Sequence, residues 1–150
     1  MGRLAQAAGM AEAVAGFAMS EKAQAQVHLR LTFPNGGSLD ENDIELIETI
    51  KRCRSILGTS KLMGLSYRKT WLMTDALNRT FESKVVDTFP GRRGAGAEVT
   101  VFGERIVALF RSVERRSSSA AAAATGELTA SLAWDFEAQV PAAAPEAREA

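Results

Sequence analysis

A short polar and basic run near the middle of the chain carries the side chains best suited to specific chemistry. Ser66, Arg68 and Lys69 stand within the run Ser66–Thr70, which reads Ser-Tyr-Arg-Lys-Thr. An arginine can hold guanine through two hydrogen bonds, a lysine can contact guanine or a phosphate, and a serine hydroxyl can bind a phosphate. The combination predicts contact with duplex DNA, and an ordinary solvated helix start is the alternative.

A second basic run lies in the glycine-rich segment Pro90–Ala97. Arg92 and Arg93 are predicted to contact phosphates or to enter the minor groove, where narrow A·T tracts attract positive charge. A nucleotide-binding loop is disfavoured, because the segment has neither a Gly-x-Gly-x-x-Gly pattern after a buried strand nor the Lys-Ser/Thr ending of a P-loop. The candidate DNA-contact residues are Thr59, Lys61, Ser66, Tyr67, Arg68, Lys69, Thr70, Arg92 and Arg93.

The charge distribution points the same way, although the net charge of the chain is zero. Residues 51–93 hold ten basic and three acidic side chains, whereas residues 117–150 hold one basic and five acidic ones. Positive charge concentrated on one segment favours an acidic polymer as partner. A solvated basic face balanced by an acidic tail would have the same composition.

Composition excludes several kinds of site. With one cysteine, Cys53, and one histidine, His28, the chain has no internal disulfide, no usual zinc site and no Ser/His/Asp or Cys/His catalytic set unless His28 acts alone. We therefore expect neither an enzyme nor a metal or cofactor. A redox role for Cys53 beside its basic neighbours is the alternative to a plain half-buried cysteine, which is the favoured interpretation.

The chain is also expected to stay in the cytoplasm. No run approaches the roughly 20 apolar residues that span a bilayer. The alanine-rich opening, residues 1–20, has one early positive charge at Arg3 and is interrupted by Gln6 and Glu12, which is not typical of an export signal.

Three segments are predicted: a flexible extension over residues 1–26, a domain over 27–116 and a low-complexity acidic, alanine-rich tail over 117–150. Within the tail, an apolar cluster is either a docking element or incidental; it comprises Leu128, Leu132, Trp134 and Phe136. The elements expected in the domain are a strand at 27–33, helices from Asp40 to 54, 56–63 and 67–81, strands at 84–89 and 98–100, and a helix from Thr100 to about 116.

Helix periodicity gives each helix an expected apolar face. The third helix is expected to turn Tyr67, Trp71, Thr74, Leu77 and Phe81 inward. The apolar positions of the last helix are Val101, Ile106, Leu109, Phe110 and Val113. Gly64–Ser66 forms a tight turn between the second and third helices, as in a helix-turn-helix. The order of elements predicts a mainly α protein with a small β wing, an α+β winged helix-turn-helix.

The run from Gly64 to Trp71, Gly-Leu-Ser-Tyr-Arg-Lys-Thr-Trp, resembles the N-terminal domain of ModE-type molybdate-responsive regulators, especially short stand-alone proteins often labelled LysR-type. The resemblance continues through Asp75–Asn78, Gly91–Ala97 and Thr100-x-x-Gly103 and covers about residues 28–115. It implies a homodimer that binds an inverted-repeat operator, with the recognition helix beginning at Ser66 and the wing carrying Arg92 and Arg93.

The chain departs from that family in three ways. Pro90, Arg93, Ala95 and Ala97 interrupt the usual glycine run, and Thr74 replaces a larger aliphatic residue. The tail after residue 116 is too short for an oxyanion-binding domain. Molybdate binding is therefore not expected here, and no small-molecule effector is evident.

The leading hypothesis is a sequence-specific DNA-binding transcriptional regulator, dimeric through its first and last helices. The alternative is a protein-interaction module whose basic face binds an acidic partner or the chain's own acidic tail.

Overall fold

The computed structural model describes residues 24–89 and 96–137. The elements are β1 (Arg30–Thr32), β2 (Ser38–Asp40), α1 (Glu41–Cys53), α2 (Ile56–Met63), α3 (Tyr67–Thr80), β3 (Val86–Phe89), β4 (Gly96–Val99) and α4 (Val101–Ala130). Strand β1 pairs with β2 and strand β3 with β4, both antiparallel. The described residues are therefore mainly helical with two small antiparallel sheets, which confirms the α+β class.

Helix α1 supplies much of the core of the compact unit that runs from Gln26 to Ala121. Its residues Ile44, Ile47 and Ile50 are essentially fully buried. The Asp40 carboxylate accepts hydrogen bonds from the N–H groups of the first turn, and the Asp43 carboxylate accepts one from Asp40 N–H at 3.0 Å, a reciprocal cap. Burial raises the pKa of Asp43 despite that hydrogen bond, which lowers it. The predicted start of this helix at Asp40 is confirmed.

Helices α2 and α3 begin and end where local sequence signals predict. Ser55 caps α2 by accepting a hydrogen bond from Gly58 N–H at 3.1 Å. Gly64 ends α2 in the left-handed conformation, with φ of 66°, which favours glycine. Ser66 then caps α3 through Lys69 N–H at 3.1 Å. A three-residue turn thus joins the two helices.

The β3–β4 hairpin is held from two sides. On one side, Asn78 of α3 donates to Val86 O at 2.9 Å and accepts from the N–H groups of Val85 and Val86 at 2.9 and 3.0 Å. On the other side, Ala97 N–H donates to Arg54 O at 3.0 Å, between α1 and α2. The hairpin is therefore fixed relative to α3 and to the start of α2.

Helix α4 begins directly on the base of this hairpin. The Thr100 hydroxyl accepts from Gly103 N–H at 2.9 Å and donates to Lys84 O at 2.6 Å. A Cβ added to Gly103 would meet Val85 O and would lie 2.9 Å from a methyl group of Val99. The start of the helix approaches the strand so closely that only glycine fits at position 103.

Several predicted boundaries differ from the structure. Helix α4 ends at Ala130 rather than near 116, because the Ser/Ala run that suggested a low-complexity tail consists mostly of alanine, the strongest helix former. Strand β1 covers only Arg30–Thr32, β4 begins at Gly96, and β2 was not predicted. Val101, expected among the apolar positions of α4, is 86% exposed.

Residues 122–137 are the described part of a second compact unit. They contain the end of α4 and a short turn, and the side chains of Leu128, Leu132, Trp134 and Phe136 are exposed. Across the described ranges, no helix is long and apolar enough to cross a membrane.

Candidate nucleic-acid interface

The turn between α2 and α3 brings three cations to one part of the surface. Lys61 lies in the last turn of α2, and Arg68 and Lys69 lie in the first turn of α3; all three side chains are exposed. The first turn of a helix leaves backbone N–H groups without intrahelical acceptors and carries the positive end of the helix dipole. An exposed, positive surface therefore surrounds the start of α3.

These three cations form no ion pair with any of the residues that the structure describes. By contrast, three cations along or at the end of α1 and α3 form ion pairs. They are Lys51 with Glu104 at 2.8 Å, Arg54 with Glu98 at 3.0 Å and Arg79 with Asp75 at 2.9 Å. The other described cations without a carboxylate partner are Arg52, Lys84, Arg105, Arg115 and Arg116. Lys61, Arg68 and Lys69 differ from these in flanking the turn that joins α2 to α3.

Thr59 and Thr70, two candidate contact residues, are fully buried. The Thr70 hydroxyl donates to Ser66 O at 2.9 Å, and the Thr59 hydroxyl has no hydrogen-bond partner among the described residues. Both positions face the core side of their helices, so their side chains cannot reach a ligand at the surface. Including them in the interface was wrong.

The expected inward stripe of α3 is also wrong at its start. Tyr67 is 48% exposed and Trp71 is 46% exposed, whereas Thr70, Thr74 and Leu77 are buried. The prediction assumed that the largest apolar residues point inward. Thr70 points inward instead, because its hydroxyl donates to Ser66 O at 2.9 Å, which satisfies the polar atom and leaves the methyl group to pack. Thr74, which was predicted to point inward, is bonded to Thr70 O in the same way at 2.8 Å.

The remaining candidates divide between the described and the undescribed parts of the chain. Ser66 is exposed, with its hydroxyl oxygen accepting from Lys69 N–H. Arg92 and Arg93 lie outside the described residues, in the segment between Phe89 and Gly96; these two residues pair across the hairpin. The role of Asn78 in attaching that hairpin was not predicted, because a polar residue on a helix gives no sequence signal for a bond to a strand.

Two residues considered for other chemistry have ordinary surroundings. Cys53 is a half-buried free thiol at the end of α1. His28 is exposed and its Nδ1 lies 3.0 Å from a Glu41 carboxylate oxygen. In residues 24–89 and 96–137, no group of three or more His, Cys, Asp and Glu side chains is arranged to hold a metal ion.

Taken together, the fold and this site define a small α+β domain with an exposed basic helix start after a tight turn. No family model matches the chain. The chain is 38% identical over 86 residues to the molybdenum transport protein ModE of Azotobacter vinelandii, covering 57% of this chain and 32% of that protein. It is 35% identical over 88 residues to the molybdenum-pterin-binding protein MopA of Rhodobacter capsulatus, covering 58% and 33%.

A third relative is the transcriptional regulator ModE of Yersinia pestis, 32% identical over 88 residues that cover 58% of this chain and 34% of that protein. The chain thus spans about a third of the length of the curated relatives that it matches. These similarities support a ModE-like segment. The names of these relatives describe a transport protein, a binding protein and a regulator, and none describes an enzyme.

Proposed function

We propose that this chain is a sequence-specific DNA-binding transcriptional regulator with a winged helix-turn-helix domain. Helix α3 acts as the recognition helix in the major groove, and the β3–β4 hairpin acts as the wing. The observation that carries the proposal is the group formed by Lys61, Arg68 and Lys69, exposed and without described carboxylate partners at the start of α3. The regulator named among the relatives supports the same function.

The place of each side chain around the axis of α3 suits it to a different role. Arg68 lies two residues before buried Thr70, which places it about 200° around the helix, opposite the core. It is therefore the residue to reach base edges and to bind guanine. Lys61, Ser66 and Lys69 flank it and suit phosphates. Arg92 and Arg93 are proposed wing contacts with phosphates or the minor groove.

The proposal is tested by selecting bound sequences from a random duplex pool at near-physiological salt, where non-specific binding is suppressed. We expect enrichment of an inverted repeat with half-sites about 34 Å, one helical turn, apart. Affinity for the selected duplex should fall linearly with the logarithm of salt concentration. A pool that stays random after repeated selection would refute sequence-specific binding and favour the interaction module, whose acidic partner would be sought instead.

We also propose a homodimer through α1 and α4. On α4, Leu109 is 51% exposed and Val113 is 38% exposed, one helical turn apart. Two neighbouring apolar side chains at this spacing form a stripe that a second copy would bury. Two recognition helices related by a twofold axis would match an inverted-repeat site.

Replacing Leu109 with glutamate is expected to convert the dimer to a monomer, because the interface would have to bury an unpaired carboxylate. Light scattering should show the mass halved at micromolar concentration, together with weaker operator binding. Val101→Glu is the matched control, since Val101 is 86% exposed at the first position of α4 and lies about 80° around the helix from Leu109. A Leu109→Glu variant with the unaltered dimer mass would contradict this interface.

The relatives' names are the one link between this chain and molybdenum. ModE of Azotobacter vinelandii is named for molybdenum transport and MopA for molybdenum-pterin binding, and this chain spans about a third of each. We propose the DNA-binding role for this chain and do not extend the molybdenum names to it.

A further inference from the structure

Tyr67 and Trp71 form an exposed aromatic pair on the first two turns of α3. They are four residues apart, so they neighbour each other on one side of the helix. Each is about half exposed, at 48% and 46%. In the part of the chain that the structure describes, neither the phenol O–H nor the indole N–H has a hydrogen-bond partner. Packing of the described core therefore does not account for the polar end of either ring.

Helix geometry places the pair beside Arg68 and on the side of α3 that carries Asn78. Trp71 is three residues after Arg68, which makes the two side chains neighbours on the helix surface. Asn78 is seven residues after Trp71, nearly two full turns, and so lies on the same side of α3. Asn78 binds Val86 of β3 and Val85 just before it. The aromatic pair therefore lies on the side of α3 to which the hairpin is attached through Asn78.

The surroundings identify the chemistry of the occupant. Unpaired cations at Arg68 and Lys69 border the aromatic pair, and Lys61 lies across the turn on α2; together they favour a polyanion over a second copy of this chain. Within the major groove, the apolar group that a ring can contact is the C5-methyl of thymine, and deoxyribose offers further apolar surface. The free O–H and N–H donors suit phosphate or base acceptors at the edge of such a contact.

We propose that Tyr67 and Trp71 contact thymine methyl groups and deoxyribose next to the guanine held by Arg68, and thereby help to determine which sequence is bound. This inference rests on the proposed function and adds a specificity element to it. We therefore expect thymine to be enriched beside the guanine in each half-site.

Tryptophan emission tests the contact directly. The chain has two tryptophans, so Trp134→Phe leaves Trp71 as the single reporter. The probe is the duplex recovered from the random pool, with a dye on one end so that its anisotropy reports binding independently. On addition of this duplex, Trp71 emission should be quenched or shifted to the blue with the same midpoint as the anisotropy change.

The outcomes of this titration separate the two proposals. Saturating anisotropy with unchanged Trp71 emission overturns the aromatic contact and leaves the DNA-binding function in place. Failure of any duplex to bind overturns the function, and the contact with it. Emission that shifts with protein concentration in the absence of DNA shows that a second copy covers the pair, which also overturns the inference.

Removal of the thymine methyl tests specificity. Duplexes in which uracil replaces the thymines beside the guanine should bind several-fold more weakly to the natural chain. Trp71→Ala should bind the thymine duplex roughly tenfold more weakly. This is the loss of affinity expected when about 55 Å² of apolar surface is no longer buried on binding. It should no longer distinguish thymine from uracil. Leu62→Ala, at a residue 68% exposed on α2, is the control and should keep the distinction. A Trp71→Ala variant with the natural preference for thymine overturns the inference.

Discussion

Replacing Arg68 with glutamate is expected to weaken binding to the selected operator by about 100-fold or more, while binding to random duplex falls only a few-fold. A bidentate arginine–guanine contact contributes about 1–3 kcal/mol of discrimination, and every 1.4 kcal/mol is tenfold in affinity. Glutamate would also place a negative charge against the groove. In random duplex the contacted base is guanine only by chance, so the loss there is mainly electrostatic. Anisotropy titrations of both duplexes at one fixed salt concentration measure the two losses.

Arg115→Glu is the matched control, because Arg115 is an exposed cation of α4 without a described carboxylate partner and lies about 200° around the helix from Val113 of the proposed dimer stripe. It makes the same change in net charge away from the proposed interface and should affect both duplexes equally and weakly. Arg68→Lys separates charge from geometry: it keeps the charge but loses the planar pair of donors, so an intermediate loss confined to the operator is expected. Equal losses on operator and random duplex in Arg68→Glu would refute base recognition by this residue.

Sequence signals were sufficient where a structural feature depends on adjacent residues. Asp40, Gly64 and Ser66 each act within a few positions of their own backbone, as caps or as a left-handed helix end. Their residue types therefore predict the ends of α1, α2 and α3. The exposed cations Arg68 and Lys69 follow from the same local register, since they stand immediately after the cap.

The predictions that were wrong concern features that depend on residues distant in the sequence, or positions where two sequence signals favour different structures. The inward positions predicted at Thr74 and Leu77 are buried. In the first turns of α3, periodicity alone fits Tyr67 and Trp71 as well as Thr70, and hydrophobicity favoured the wrong choice. The choice between them is made by the hydrogen bonds that satisfy the threonine hydroxyls in the folded helix. The length of α4 was missed for another reason: alanine is frequent both in low-complexity tails and in helices, so composition does not separate them.

Asn78 illustrates a tertiary role that no local pattern reveals, and it leads to the second large expected effect. Asn78→Ala is expected to lower the free energy of unfolding by about 3–5 kcal/mol. The side chain makes three hydrogen bonds, and its removal leaves the N–H groups of Val85 and Val86, both fully buried residues, without their acceptor. An unsatisfied buried polar group costs about 1–3 kcal/mol, which makes the sum large. Urea denaturation followed by circular dichroism measures the loss.

Two further variants show whether the bonds to the hairpin are responsible. Asn78→Asp keeps an acceptor for both N–H groups but sets a carboxylate against Val86 O, so it should cost less than alanine and still destabilise. Asn35→Ala removes an exposed asparagine that donates to Thr80 O at 2.9 Å and should cost about 1 kcal/mol or less. Because Asn78 attaches the hairpin to α3, its loss should also weaken operator binding at temperatures where the variant remains folded. Equal destabilisation by Asn78→Ala and Asn35→Ala would contradict this prediction. Other contacts would then have to hold the hairpin against α3.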